Sequence, residues 1–113
     1  MFPENEYDAG PFTDVAIVWG EQVWAFLNEP SNIVSMTNAS DNGIPAPESI
    51  ASTLFDRFGE GIRQDRVKQF IGFLIRQVME RNGYQHTSYG HPTQDNPVFV
   101  KASVYSRREN SRL

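Results

Sequence analysis

The chain contains no cysteine. Disulfides, thiolate zinc sites and cysteine nucleophiles are therefore excluded, and a reducing, cytoplasmic setting is the simplest expectation. Positive charge is nearly missing from the first half. Residues 1–60 hold Arg57 alone against ten acids, a net −9, whereas residues 61–113 hold nine bases against four acids, a net +5. No apolar run approaches the roughly 20 residues that a membrane-spanning helix needs, so no membrane partner is expected. The opening MFPENEYDAG has neither the basic nor the apolar region of a secretory signal. Catalytic signatures are missing as well: there is no HExxH, no Gly-rich phosphate loop, no GxSxG elbow and no kinase motif. The carboxylates crowd the acidic half, as a solvated face would have them. Neither an enzyme nor a cofactor is expected.

What is present is enough for one modest domain: 113 residues, 39% hydrophobic and 21% charged. Its strongest pattern is Gln64 to Asn82. There Val67, Phe70, Ile71, Leu74, Ile75, Val78 and Met79 recur at steps of three and four, the period of an amphipathic helix. Asn82-Gly83 stops it, with Gly83 suited to the left-handed position after a last helical turn. Asp65, Gln69, Gly72, Arg76 and Glu80 fall on the opposite, wet side. Phe73 lies near that side with Gly72, so that either the helix packs on more than one flank with a tolerated Gly or the pair marks a second contact surface.

Before this helix, residues 1–12 read as a loosely ordered arm, and Thr13 or Asp14 as the cap of a helix running to Asn28. Its two tryptophans, Trp19 and Trp24, are either core or interface anchors. Glu29 to Ala46 reads as a long polar loop, with Ile33 to Met36 able to form a short strand and Asn42-Gly43 a tight turn. Pro47 opens another helix, which Gly59 ends, and Gly59 to Ile62 makes a short turn into the long helix. Past Gly83 the period becomes two. Tyr84 to Tyr89 and Val98 to Arg107 read as the strands of a hairpin around a loop at 90–97. On the second strand Val98, Val100, Ala102 and Val104 face inward, and Phe99, Lys101, Ser103, Tyr105 and Arg107 face out. Residues 108–113 form a charged tail.

The expected fold is α+β and mainly helical: one domain over residues 13–107, with a helix, a long loop, a helix-turn-helix and a hairpin. This order resembles a winged-helix domain. The resemblance implies that Gln64 to Asn82 corresponds to the recognition helix and residues 90–97 to the tip of the wing. It implies a small DNA-binding regulator of transcription, acting as a dimer. Arg63, Gln64, Arg66, Lys68 and Gln69 are then the candidates for the groove-facing helix, and Lys101, Arg107 and Arg108 for the wing, since Arg, Lys and Gln side chains donate to base edges and phosphates. The alternative is a protein-interaction module, a homodimeric adaptor or inhibitor, that binds no nucleic acid. Its candidate interface is Trp19, Trp24, Gly72, Phe73, Phe99 and Tyr105. His86, His91 and Asp95 match no zinc spacing, so no metal site is expected.

Overall fold

In the computed structural model, residues 7–87 and 98–101 are described. Four α-helices precede a two-stranded sheet: α1 (Thr13–Leu27), α2 (Pro30–Asp41), α3 (Ala46–Phe58), a 3₁₀ turn (Gly59–Arg63), α4 (Asp65–Arg81), β1 (Tyr84–Thr87) and β2 (Val98–Lys101). The fold is mainly helical, as the periodicity requires.

α4 is the centre of the core. Val67, Phe70, Ile71, Leu74, Ile75, Val78 and Met79 are all buried, and Phe70, Leu74, Val78 and Met79 have no exposed surface. Burying one such side chain contributes about 1.5–3 kcal/mol, so this one stripe holds much of the domain together. Against it pack Val23, Phe26 and Leu27 of α1, Met36 of α2, Ile50 and Leu54 of α3, and Tyr84 of β1. Asp65, Gln69, Arg76 and Glu80 are exposed, as expected, but Gly72 is buried, so the back of α4 is covered rather than wet at its middle. Gly83, at φ 91°, takes the left-handed position after α4.

The stretch 29–46 corrects the loop reading. Residues 30–41 are helix, and the short strand at Ile33 to Met36 does not form. Pro30 supplies a ready-made first helical position after Glu29, which is extended (φ −64°, ψ 135°). The buried face is Asn32, Met36, Ala39 and Ser40, which has helical spacing but two polar members. Asn32 belongs inside because its Nδ2 donates to the carbonyl of Phe26 at 2.8 Å, near the end of α1 where carbonyls lack helical partners. Asn42 and Gly43 close the helix, with Asn42 Nδ2 donating to the carbonyl of Asn38 at 2.8 Å. Two boundaries also move. The residue preceding α1 is Phe12, not Thr13 or Asp14, and α3 begins at Ala46 with Pro47 just inside it.

Residues 7–12, read from sequence as part of a loose arm, are tied to α4. Gln77 Oε1 accepts from the backbone N–H of Asp8 and its Nε2 donates to the carbonyl of Asp8, both at 2.7 Å. The Phe12 and Phe73 rings lie 5.4 Å apart, and Gly10, at φ 55°, passes under the Phe73 ring where a Cβ would collide with it.

The hairpin forms. β1 and β2 pair antiparallel with Tyr84 opposite Lys101 and His86 opposite Phe99. β1 lies along α4 and β2 beside α2. The Tyr84 hydroxyl donates to Asp41 Oδ1 at 2.8 Å, joining the sheet to the end of α2. The inward and outward faces expected for the second strand, and the wing tip, lie outside the described residues.

Candidate interaction groove

The arginines show how little free positive charge the helical body offers. Four of them lie over aromatic rings: Arg57 over Phe26 at 4.9 Å, Arg63 over Phe55 at 4.5 Å, Arg66 over Phe12 at 5.0 Å and Arg81 over Trp24 at 5.0 Å. Two of these, and Arg76 besides, are in ion pairs: Arg57 with Glu29 at 3.2 Å, Arg66 with Asp14 at 2.9 Å and Arg76 with Glu80 at 3.1 Å. Arg66 is the most fully used. It donates from Nε and Nη2 to the two carboxylate oxygens of Asp14, and from Nη2 to the carbonyl of Pro11 at 2.7 Å. That fork holds the Asp14 carboxyl below the usual range and raises the guanidinium further above its own.

The expected nucleic-acid residues therefore separate. Arg63, Gln64, Lys68 and Gln69 are exposed around the start of α4, as a groove-facing helix would need. Arg66 is exposed too but clamps α1 and the N-terminal turn onto α4. The side chain of Lys101 and all of Arg107 and Arg108 lie outside the described residues.

The expected interface residues separate as well. Trp24 is buried, its ring 5.4 Å from Tyr7. Trp19 is half-buried, edge-on to Phe58 at 6.0 Å and against Gly61. Phe73 holds the N-terminal turn. These aromatics are partners within the chain. The side chain of Phe99 and all of Tyr105 lie outside the described residues, as do His91 and Asp95.

What the sequence does not announce is a groove between α3 and α4, about 440 Å³ in volume. Its walls are Pro47, Ala51, Leu54 and Phe55 on one side and Ile71, Gly72 and Ile75 on the other, with Ile62 between them. Leu54, Ile62, Ile71, Gly72 and Ile75 are buried at its floor, and Pro47, Ala51 and Phe55 are its accessible apolar residues. Three charged residues line the rim, the cations Arg63 and Lys68 and the acid Glu48. Neither cation is paired with a carboxylate of the described residues. The trough thus combines accessible apolar surface with two cations and one acid at its lip. A cue lay in the spacing of Pro47, Ala51 and Phe55 with Ile71 and Ile75, but steps of four signal a core face equally well.

Among the described residues no three His, Asp or Glu side chains converge as a metal site would require, and no helix is long and apolar enough to cross a membrane. Comparison with protein-family models, with curated proteins and with solved structures finds no match.

Proposed function

We propose that this protein is an interaction module whose α3–α4 groove receives an apolar, acidic helical segment of a protein partner. One observation carries the reading: Arg63 and Lys68 stand at the lip of an apolar trough while Arg57, Arg66 and Arg76 are matched by carboxylates within the fold. An amphipathic helix laid in such a trough places side chains at i, i+3/i+4 and i+7 on the floor and an Asp or Glu at the rim. The rim charges select the partner and its direction more than they add affinity.

Selection of helical peptides from a random display library tests it. Recovered binders should combine apolar residues at helical spacing with acidic ones. Lys68→Glu should weaken them by about tenfold and select basic peptides instead. Binders without acidic residues, or binders indifferent to both Lys68→Glu and Ala51→Arg, would overturn the reading.

A second reading is favoured by a separate observation. Arg63, Gln64, Lys68 and Gln69 are all exposed around the first turns of α4, which follows α3 through a short turn and leads into an antiparallel hairpin. This order resembles that of a winged-helix DNA-binding regulator and supports the reading. Duplex DNA measured by fluorescence anisotropy at two salt concentrations should then bind with a salt slope that falls by about one unit when Lys101 is neutralised. Affinity no tighter than about 10⁻⁴ M at moderate salt would remove this reading.

A further inference from the structure

We infer that the groove's partner is α1 of a second copy of this chain. The inference rests on the groove being a protein-binding surface and names what fills it. α1 presents an outward stripe of Asp14, Ile17, Val18, Glu21, Gln22 and Ala25, at steps of three, one, three, one and three, and every member is exposed. This is the spacing of one helix face. Ile17 is 86% exposed and Val18 62%, higher than any other large apolar side chain described. Such a pair at the centre of a helix face, with none of the described residues over it, is where a partner would gain most by excluding water.

The charges decide which partner. The stripe carries two acids and no base. The groove carries two cations, Arg63 and Lys68, against the single acid Glu48. Asp14 already accepts from Arg66, so Glu21 is the acid that α1 offers the groove rim. Ile17 and Val18 then meet the accessible apolar part of the groove, Pro47, Ala51 and Phe55, with Glu21 toward Lys68 and Arg63. Pairing α1 with α1 would instead set like charges against each other, which costs affinity. Stripe and groove share no residue, so one molecule offers both at once. Their contact is heterologous: it extends head to tail, or closes if two molecules can exchange it about a two-fold axis.

Sedimentation of the full chain over a concentration series tests this, with three substitutions at exposed or rim positions and circular dichroism melts to show that each variant folds. Wild type should self-associate at about 10⁻⁴ M or below. Ile17→Asp and Lys68→Glu should each weaken this by about tenfold or more. Mixed together, those two variants should form a 1:1 dimer that neither forms alone, because one retains an intact groove and the other an intact stripe. Combining Glu21→Lys with Lys68→Glu in one chain should restore association. A wild type that stays monomeric at that concentration overturns the inference, and so does a mixture of the two variants that stays monomeric. Loss on Ile17→Asp with no effect of Lys68→Glu overturns it in favour of α1–α1 pairing. If the wild type is monomeric but selected acidic peptides still bind the groove, only the choice of partner fails. If neither self-association nor peptide binding occurs, the groove reading fails with it.

Discussion

The two flanks of α4 are put to different use. On one flank Phe73, Gln77 and Arg66 each engage the chain's own N-terminal turn: a ring against Phe12, a two-way amide bond to Asp8, a guanidinium fork on Asp14 and Pro11. On the other, Ile71, Gly72 and Ile75 face a groove whose rim cations have no carboxylate partner in the described fold. A cation committed inside the fold steers nothing outside it, and an aromatic covered by its own chain anchors no partner. The α3–α4 side is where the described fold leaves accessible apolar surface, at Pro47, Ala51 and Phe55, beside cations without a carboxylate partner.

The largest test of this contrast removes the wall common to both flanks. Leu74 is fully buried at the centre of the α4 stripe, and Leu74→Ala should cost about 2–5 kcal/mol in urea unfolding through lost burial and the cavity left behind. A loss below about 1 kcal/mol would mean that α4 is not the core's centre and that neither flank is correctly placed.

Next come the flanks themselves. Phe73→Ala should destabilise by on the order of 2 kcal/mol, less than full burial would give because the ring is half-buried, and should expose residues 7–12 to proteases. Lys68→Ala on the groove side should leave the melt within about 0.5 kcal/mol of wild type while changing whatever the groove binds. Equal effects of the two substitutions on stability would erase the distinction between a structural and a functional flank.

α4 was legible from sequence because seven of its eight buried residues are large, apolar and regularly spaced, so pattern and burial say the same thing; only Gly72, buried on the side expected to be wet, was not. α2 was not, because its buried face includes Asn32 and Ser40, and Asn32 is held inside by a hydrogen bond to α1 that only the folded chain provides. The groove was illegible for a related reason. Ala51, Phe55, Ile71 and Ile75 have the spacing of core positions, and only the separation of α3 from α4 decides whether a face is filled or open. The fates of Arg63 and Arg66 could not be separated either. They lie three residues apart with the same chemistry, yet Arg66 meets Asp14, 52 positions away in sequence.

Tyr84 gives a smaller effect, at the junction of sheet and helices. Its hydroxyl is desolvated and donates to the Asp41 carboxylate, which pushes its ionisation up to about 12 from an ordinary 10.0. The folded state holds this proton more tightly than the unfolded state. The contribution is thus fully present below pH 10 and is lost as pH rises through about 12. Alkaline unfolding should show this loss across that window, and Tyr84→Phe should flatten it while lowering stability at neutral pH through the missing hydrogen bond. An alkaline profile unchanged by Tyr84→Phe would show that the sheet is not fastened to α2 through this bond.

The smallest effect sharpens the contrast most directly, because it converts a committed cation into a free one. The Asp14 carboxyl is held below its ordinary value of 3.8, chiefly by the hydrogen bonds from Arg66. A depressed carboxylate contributes stability that is present above its unfolded value and is lost as pH falls through the folded one. The loss therefore lies in the acid range, below about pH 4. Both groups are well exposed, so salt screens the pair and the change in the melt will be slight. Asp14→Asn should remove that part of the acid dependence and release Arg66 from its fork. If the protein is a DNA-binding regulator, the released guanidinium stands among Arg63, Lys68, Gln64 and Gln69 around the start of α4, and non-specific duplex affinity should rise with a steeper salt dependence, by up to about one unit of slope. If the protein works through the α3–α4 groove, duplex binding stays at background and groove binding of selected peptides is unchanged, because Arg66 does not line that groove. Anisotropy with random duplexes and with a groove peptide, on wild type and Asp14→Asn, separates the two: a rise in DNA affinity without change in peptide binding would move the functional flank of α4 from the groove to its N-terminal turns.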